Sequence, residues 1–228
     1  MEAVMFRPRA VVAVVVSYAL FLMPIYGSPA PAIGTVTFAS NAHIGITAAS
    51  VGSTVFAGDH LSTEALGSIQ LRVGAARLLL SGASSVGLSE DQGSPSATLL
   101  NGTVVFSTAS AKAFVLHAST ANIRPKTDEP TVAQVTYVND KELRVRSNRG
   151  ALTITVEDQT ESVPEGMAYR VILDPDSYYA AQGGGGSGGH QQQPHKAGRN
   201  RFLLIAIIIT GVATGIALYE ALQSPDAP

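Results

Sequence analysis

Alternating apolar and polar residues recur between Thr35 and Leu173, and Gly, Asn, Asp or Ser interrupts them about every 8 to 12 positions. The clearest alternating segments are SIQLRV, ARLLLSG, SSVGLS, GTVVFSTAS, AFVLHAS, AQVTYV, ELRVRS, ALTITVED and AYRVIL. No useful length of this region has the helical period of roughly 3.6 residues. The pattern therefore predicts an all-β body of about a dozen short strands, arranged as a sandwich or a short solenoid.

Two dipeptides in this region suit tight turns. Asn101-Gly102 and Asn139-Asp140 both tolerate a positive φ, which the common hairpin turns require. We expect a β-hairpin at each of them.

The N-terminal segment has the features of a secretory signal peptide. Arg7 and Arg9 precede an apolar run from Ala10 to Tyr26, and Ala30-Pro31-Ala32 has the A-x-A spacing of a cleavage site. We predict that residues 1–32 are a signal peptide cleaved after Ala32, with an uncleaved N-terminal anchor as the alternative. Either outcome exports the residues that follow.

A second apolar run lies near the C-terminus. No charged residue occurs from Phe202 to Leu218, and this length matches the hydrocarbon thickness of a bilayer. The run predicts a transmembrane helix over residues 202–222, with a short tail over 223–228. Gly211 and Gly215 form a G-x-x-x-G pair that would let two helices approach closely, so a homodimer through this face is a hypothesis. Glycine is also simply common in such helices.

Residues 179–201 link the two regions. Their Gly/Ser/Gln-rich composition predicts a flexible tether, and Lys196, Arg199 and Arg201 add a basic cluster before the apolar run. The signal peptide favours an extracytoplasmic β domain, which in a bacterial envelope is periplasmic. The basic cluster opposes this orientation under the positive-inside tendency, so a cytoplasmic domain is the alternative.

Charge and cysteine content limit the partners. Residues 33–182 contain ten Lys and Arg against fourteen Asp and Glu, a net charge of −4, which argues against a nucleic-acid partner. The chain has no cysteine, which excludes disulfides, zinc–cysteine sites and thiol nucleophiles. The absence of cysteine does not identify the cellular compartment.

One stretch, VGSTVFAGDHLSTEALGSIQLRVGAARLLLSGASSVGLS, resembles the bacterial FecR-like domain. The matching positions are Gly58-Asp59, Leu61-Ser62-Thr63, Gly67-Ser68, Leu71, Leu78, Leu80, Ser84-Ser85 and Val86, followed by LLNGTVVFSTA. The resemblance implies a FecR-like β domain over residues 33–178 with a signalling or binding role in the envelope. It loosens after Ala109, where the chain has TANIRPKTDEP from Thr120 to Pro130.

The resemblance has a limit at the ends of the chain. Only about nine residues precede the first apolar run and about nine follow the second. We therefore expect no cytoplasmic anti-sigma segment, and binding of an envelope protein or polymer rather than direct control of a sigma factor.

Gly58, Asp59 and Thr63 are interpreted as a turn and folding motif rather than a ligand site. Glycine permits an unusual φ at the turn, and the Asp side chain can bond neighbouring backbone amides. Thr63 can satisfy backbone groups at a strand edge.

Candidate chemistry is sparse. Asp59, His60 and Glu64 form the closest approach to an acid/base cluster, but no G-x-S-x-G or S-x-x-K pattern supplies a nucleophile. His117 lies within a strand pattern, and His190 and His195 lie in the tether without a rigid set of further ligands. We predict a non-catalytic protein without cofactor or metal, acting as a membrane-tethered binding or signalling module. A dimeric envelope scaffold and an envelope hydrolase are the alternatives.

Overall fold

The computed structural model describes residues 30–91, 93–173 and 202–207, and every regular element in these ranges is a strand. The strands are β1 (Ala32–Ile44), β2 (Thr47–Ala48), β3 (Thr54–Phe56), β4 (His60–Val73), β5 (Ala76–Leu80), β6 (Ser85–Asp91), β7 (Ser94–Thr108), β8 (Val115–Ala118), β9 (Ala121–Pro125), β10 (Thr131–Asn139), β11 (Glu142–Arg149), β12 (Leu152–Val156), β13 (Gln159–Val163), β14 (Ala168–Ile172) and β15 (Leu203–Ile207). The prediction of an all-β body is confirmed for the described residues.

Backbone hydrogen bonds join these strands into one sheet with the central order β13-β12-β9-β8-β7-β10-β11-β14-β15. The first half of β7 pairs with β6 and β8, and its second half pairs with β5 and β10. The β7–β8 pairing is parallel, whereas every other pairing of the described strands is antiparallel. Strands β1 and β4 pair along most of their length and continue the sheet through β5 and β6.

The main hydrophobic core collects the buried residues of almost all of these strands. Because side chains alternate along a strand, every second residue points towards this core. In β12 these residues are Leu152, Ile154 and Val156, and all three are buried. Phe106 and Phe114 pack against each other inside it, with ring centroids 5.5 Å apart and the ring planes tilted by 49°. A main core of this extent fits a sheet that wraps around its own apolar face, and Leu79, Val105 and Val132 form a second, smaller cluster.

The two predicted hairpins have different outcomes. A hairpin does connect β10 and β11 at the predicted Asn139-Asp140 position. The hairpin predicted at Asn101-Gly102 is wrong, because both residues lie inside β7. Gly102 has a φ of +80°, and a side chain built there would meet the backbone of Ala83 and Ser84. This glycine therefore permits a close approach where β7 changes partners.

The first residues of the second apolar run form a strand, and the rest of the predicted transmembrane helix lies outside the described residues. Leu203–Ile207 form β15, which pairs antiparallel with β14 from Ala168↔Ile207 to Ile172↔Leu203. Phe202, just before β15, is only 2% exposed and joins the main core, and Leu204 packs against that core. Among the residues that the structure describes, no helix is long and apolar enough to cross a membrane.

Several predictions concern residues outside the described ranges. These are the signal peptide up to residue 29, the tether, residues 208–222 of the predicted helix with Gly211 and Gly215, and the tail. Each of them stays a prediction.

Candidate functional site

The turn at Gly58-Asp59 connects β3 to β4. Gly58 has a φ of +96°, which favours glycine, and its N–H donates to the Leu88 carbonyl at 2.8 Å. The Asp59 Oδ2 atom accepts the N–H of Phe56 at 2.8 Å. The Asp59 carboxylate is therefore engaged with the backbone of its own turn.

Thr63 connects β4 to the segment before β6. Its hydroxyl donates to the Ser81 carbonyl at 2.5 Å and accepts the Ser84 N–H at 3.0 Å. Both Thr63 and Ser84 are buried. In this geometry Thr63 satisfies backbone groups that the sheet ladder leaves open.

The proposed cluster of Asp59, His60 and Glu64 is not assembled by any hydrogen bond that the structure shows. His60 instead places Nε2 2.9 Å from the Ser85 hydroxyl, on an exposed surface. In the described part of the chain, no carboxylate is hydrogen-bonded to His60 Nδ1. A serine nucleophile needs a base that a third group orients, so this pair alone is not evidence for catalysis.

His60 also begins a row of register partners that crosses seven strands. The pairs run His60↔Gly87, Gly87↔Thr98, Thr98↔His117, His117↔Asn122, Asn122↔Thr155 and Thr155↔Thr160. None of these residues is in the buried class, and their chain neighbours on the opposite face include core residues such as Leu61, Leu99 and Ile154. We call this set the polar row.

Part of the polar row lies in a cleft of about 450 Å³ at the parallel junction of β7 and β8. His117, Asn122 and Thr155 line it together with Asp91 and Ser94. Lys112, Arg124, Ala111 and Val115 complete the lining. We call this site the polar cleft. Its volume lies in the range of roughly 300–1,000 Å³ that is usual for ligand sites.

The loop that carries the lining residues Ala111 and Lys112 is held in place by Asp128, which does not line the cleft. Asp128 Oδ1 accepts the Ala111 N–H at 2.8 Å and the Ser110 hydroxyl at 3.0 Å. The hydrogen bond from the Ala111 backbone lowers the pKa of Asp128, and the Ser110 hydroxyl and the Lys112 charge lower it further. The loop that carries Lys112 is thus held by a carboxylate that stays ionised.

His117 and Asn122 give the lining of the polar cleft a defined pattern of donors and acceptors. His117 Nδ1 lies 2.6 Å from Asn122 Oδ1. Since an amide oxygen only accepts, Nδ1 is the donor. With the proton on Nδ1, Nε2 is an acceptor, and the Asn122 NH₂ group makes no hydrogen bond within the described part of the chain.

No metal centre is found in the described ranges, where no three His, Asp or Glu side chains are grouped closely enough to hold an ion. His43 lies in β1, whereas His190 and His195 are outside those ranges.

Sequence reasoning did not find the polar cleft or the His60–Ser85 pair. The cleft residues come from four separate segments between Asp91 and Thr155, and His60 and Ser85 are 25 positions apart. Only the strand register brings them together. The one available signal was the repeated Ser, Thr, Asn and His at solvent-facing strand positions.

No family model matches the chain, and no curated protein matches it. Two solved structures of "a putative anti-sigma factor from Parabacteroides distasonis ATCC 8503", at 1.65 and 2.50 Å resolution, are similar to it. Each has 12% sequence identity and a TM-score of 0.42, over 50% of this chain and 54% of that chain. The chain thus spans about half the length of these structures.

Proposed function

We propose that this protein is an extracytoplasmic, membrane-tethered binding module without catalytic activity, and that it takes up a strand of an envelope partner along β14. The observation that carries the proposal is the β14–β15 pairing. A strand that follows β14 by about thirty residues occupies the edge of β14 over five register pairs. An edge that accepts this strand has the geometry for strand addition by a partner.

The β14 edge offers side-chain recognition as well as backbone hydrogen bonds. The inward-facing Phe202 and Leu204 reach the main core from this edge, and Phe202 is almost fully buried. A partner strand with large apolar residues at alternate positions would fill the same space. This pattern sets the chemistry of the expected partner.

Residues 202–207 cannot serve as β15 and as part of a bilayer helix at the same time. A helix over 202–222 would be about 31 Å long, which suits a hydrocarbon core of about 30 Å. Without 202–207 it would be only about 22 Å long. In our proposal, membrane insertion withdraws β15 and leaves the β14 edge open to a partner.

When membrane insertion withdraws β15, strand β14 should keep its contacts with β11. On its other side β14 pairs with β11 over five register positions, and Arg170 of β14 forms an ion pair with Glu142 of β11. These contacts do not involve β15. Strand β14 therefore has its own support when β15 is withdrawn.

Introduced cysteine pairs can show whether residues 202–207 are docked as β15 or inserted in the membrane, because the natural chain has no cysteine. Ile172 and Leu203 are register partners, so Ile172→Cys with Leu203→Cys should form a disulfide when β15 is docked. In intact membranes we expect little disulfide. Adding Ile209→Lys and Val212→Lys, which opposes insertion, should restore it.

The matched control is Ile172→Cys with Ile207→Cys, because Ile207 pairs with Ala168 instead. It should not crosslink in either background. Efficient crosslinking of the 172/203 pair in the membrane-inserted chain would contradict the proposal. The extracytoplasmic location is tested separately, by adding protease to spheroplasts that carry a tagged β domain. A domain protected from the protease would contradict export across the inner membrane.

A further inference from the structure

We propose that the polar cleft binds an acidic sugar, with Arg124 and Lys112 holding its carboxylate. This inference goes beyond the proposed function and does not depend on it, because the cleft lies on β8, β9 and β12 rather than at the β14 edge.

The cationic groups of the cleft are available to a ligand. Within the part of the chain that the structure describes, neither the Arg124 guanidinium nor the Lys112 ammonium makes a hydrogen bond or a close ion pair. Arg124 is an exposed residue of β9, and its planar fork of donors matches a carboxylate. The domain as a whole is acidic, so two cations that line one cleft without a close ion pair are a local exception, although the Lys112 charge also acts on Asp128.

The remaining lining matches hydroxyl groups rather than a second anion. The Asp91 carboxylate and Nε2 of a neutral His117 ring accept hydrogen bonds, while the Asn122 amide donates them. Ser94 and Thr155 add hydroxyls that can do both. A simple anion would be repelled by the Asp91 charge and has no hydroxyl groups to donate to these acceptors. A sugar acid has a carboxylate for the two cations and hydroxyl groups for the acceptors.

The shape of the cleft favours a sugar unit within a chain. The cleft is open, and the polar row continues beyond it on both sides, through Thr98 and through Thr160. Neighbouring sugar units could follow this row of hydroxyl and amide groups. No Phe, Tyr or Trp is among the described residues that line the cleft, so recognition depends on charge and hydrogen bonds and not on stacking.

The test is calorimetric titration of the full chain in detergent with trigalacturonic acid, the neutral trisaccharide maltotriose, and inorganic phosphate. We expect binding of trigalacturonic acid alone. Arg124→Gln should raise its Kd about tenfold, the size of one lost charge-assisted interaction. Lys112→Gln should weaken binding in the same direction.

The matched control is Arg72→Gln, which removes the same charge from an exposed position of β4 outside the cleft. Its Kd should stay within about twofold of the natural chain, as expected for a charge outside the binding site. Unchanged thermal unfolding of Arg124→Gln would show that the variant is folded. The proposal is overturned if trigalacturonic acid does not bind, if phosphate or maltotriose binds equally well, or if Arg72→Gln weakens binding as much as Arg124→Gln.

Discussion

Arg170 holds the Glu142 carboxylate in a two-pronged ion pair between β14 and β11. Arg170 Nε donates to Oε1 at 2.7 Å, and Nη2 donates to Oε2 at 2.8 Å. Fork geometry makes such a pair stronger than a single contact. The Arg170 side chain is 38% exposed, however, so solvent screens much of this gain.

Glu142→Gln should therefore lower the free energy of unfolding by about 0.5–1 kcal/mol at neutral pH. The Arg170 hydrogen bonds lower the pKa of Glu142 from its ordinary value of 4.5. The contribution is thus present above pH 4.5 and is lost as the pH falls through the lower pKa of the folded state. Denaturant unfolding across this acidic range would measure it. Glu64→Gln, a matched change at an exposed residue in the irregular part of β4, should show no comparable loss.

Thr63→Val should destabilise the fold although it preserves the size of the side chain. The Thr63 hydroxyl bridges Ser81 and Ser84, and its loss leaves buried backbone groups without a partner. We expect a cost of about 1–3 kcal/mol in denaturant unfolding. Thr63→Ser keeps the hydroxyl and removes one methyl group, which should cost only about 1 kcal/mol. Equal losses in the two variants would show that the hydroxyl contributes nothing.

Gly102→Ala should be more harmful than the same change at Gly87. At Gly102 a Cβ atom would lie 2.5 Å from the Ser84 Cα and 2.6 Å from the Ala83 carbonyl oxygen, and φ is +80°. Strain and overpacking together should cost about 2–4 kcal/mol. At Gly87 a Cβ atom would meet nothing within 4 Å, so the change should stay within about 0.5 kcal/mol. Thermal unfolding midpoints of the two variants give the comparison.

The predicted dimer depends on Gly211 and Gly215. Replacing both with Leu should prevent close approach of two helices and reduce crosslinked dimer in membranes. The matched control replaces Ala213 and Ala217 with Leu, which lie on a different face of the predicted helix. Unchanged crosslinking in the glycine variant would remove the dimer and, with it, the alternative function as a dimeric scaffold.

Local patterns predicted the strands well because alternation depends on neighbouring residues. Leu152, Ile154 and Val156 alternate in the sequence and are buried as β12. The pairing of strands could not be predicted, since the parallel contact of β7 with β8 and the 25-residue separation of His60 from Ser85 depend on the whole sheet. The same limit explains Asn101-Gly102, because a positive φ at glycine serves a bend inside a strand as well as a hairpin.

The second apolar run shows a different limit. Leu203–Ile207 are apolar at every position, so the sequence suits a helix in lipid and a strand against a protein core equally. The choice depends on what lies next to the segment. In the structure the edge of β14 supplies that neighbour.

Strand β7 is shared between four partners, since its first half bonds to β6 and β8 and its second half to β5 and β10. The strands paired with one half of β7 therefore cannot separate from it without disturbing the hydrogen bonds of the strands paired with the other half. Melting should be cooperative, with one transition for the strands from β4 to β12. Breaking the backbone anywhere in β7 should abolish the fold altogether instead of releasing a stable fragment.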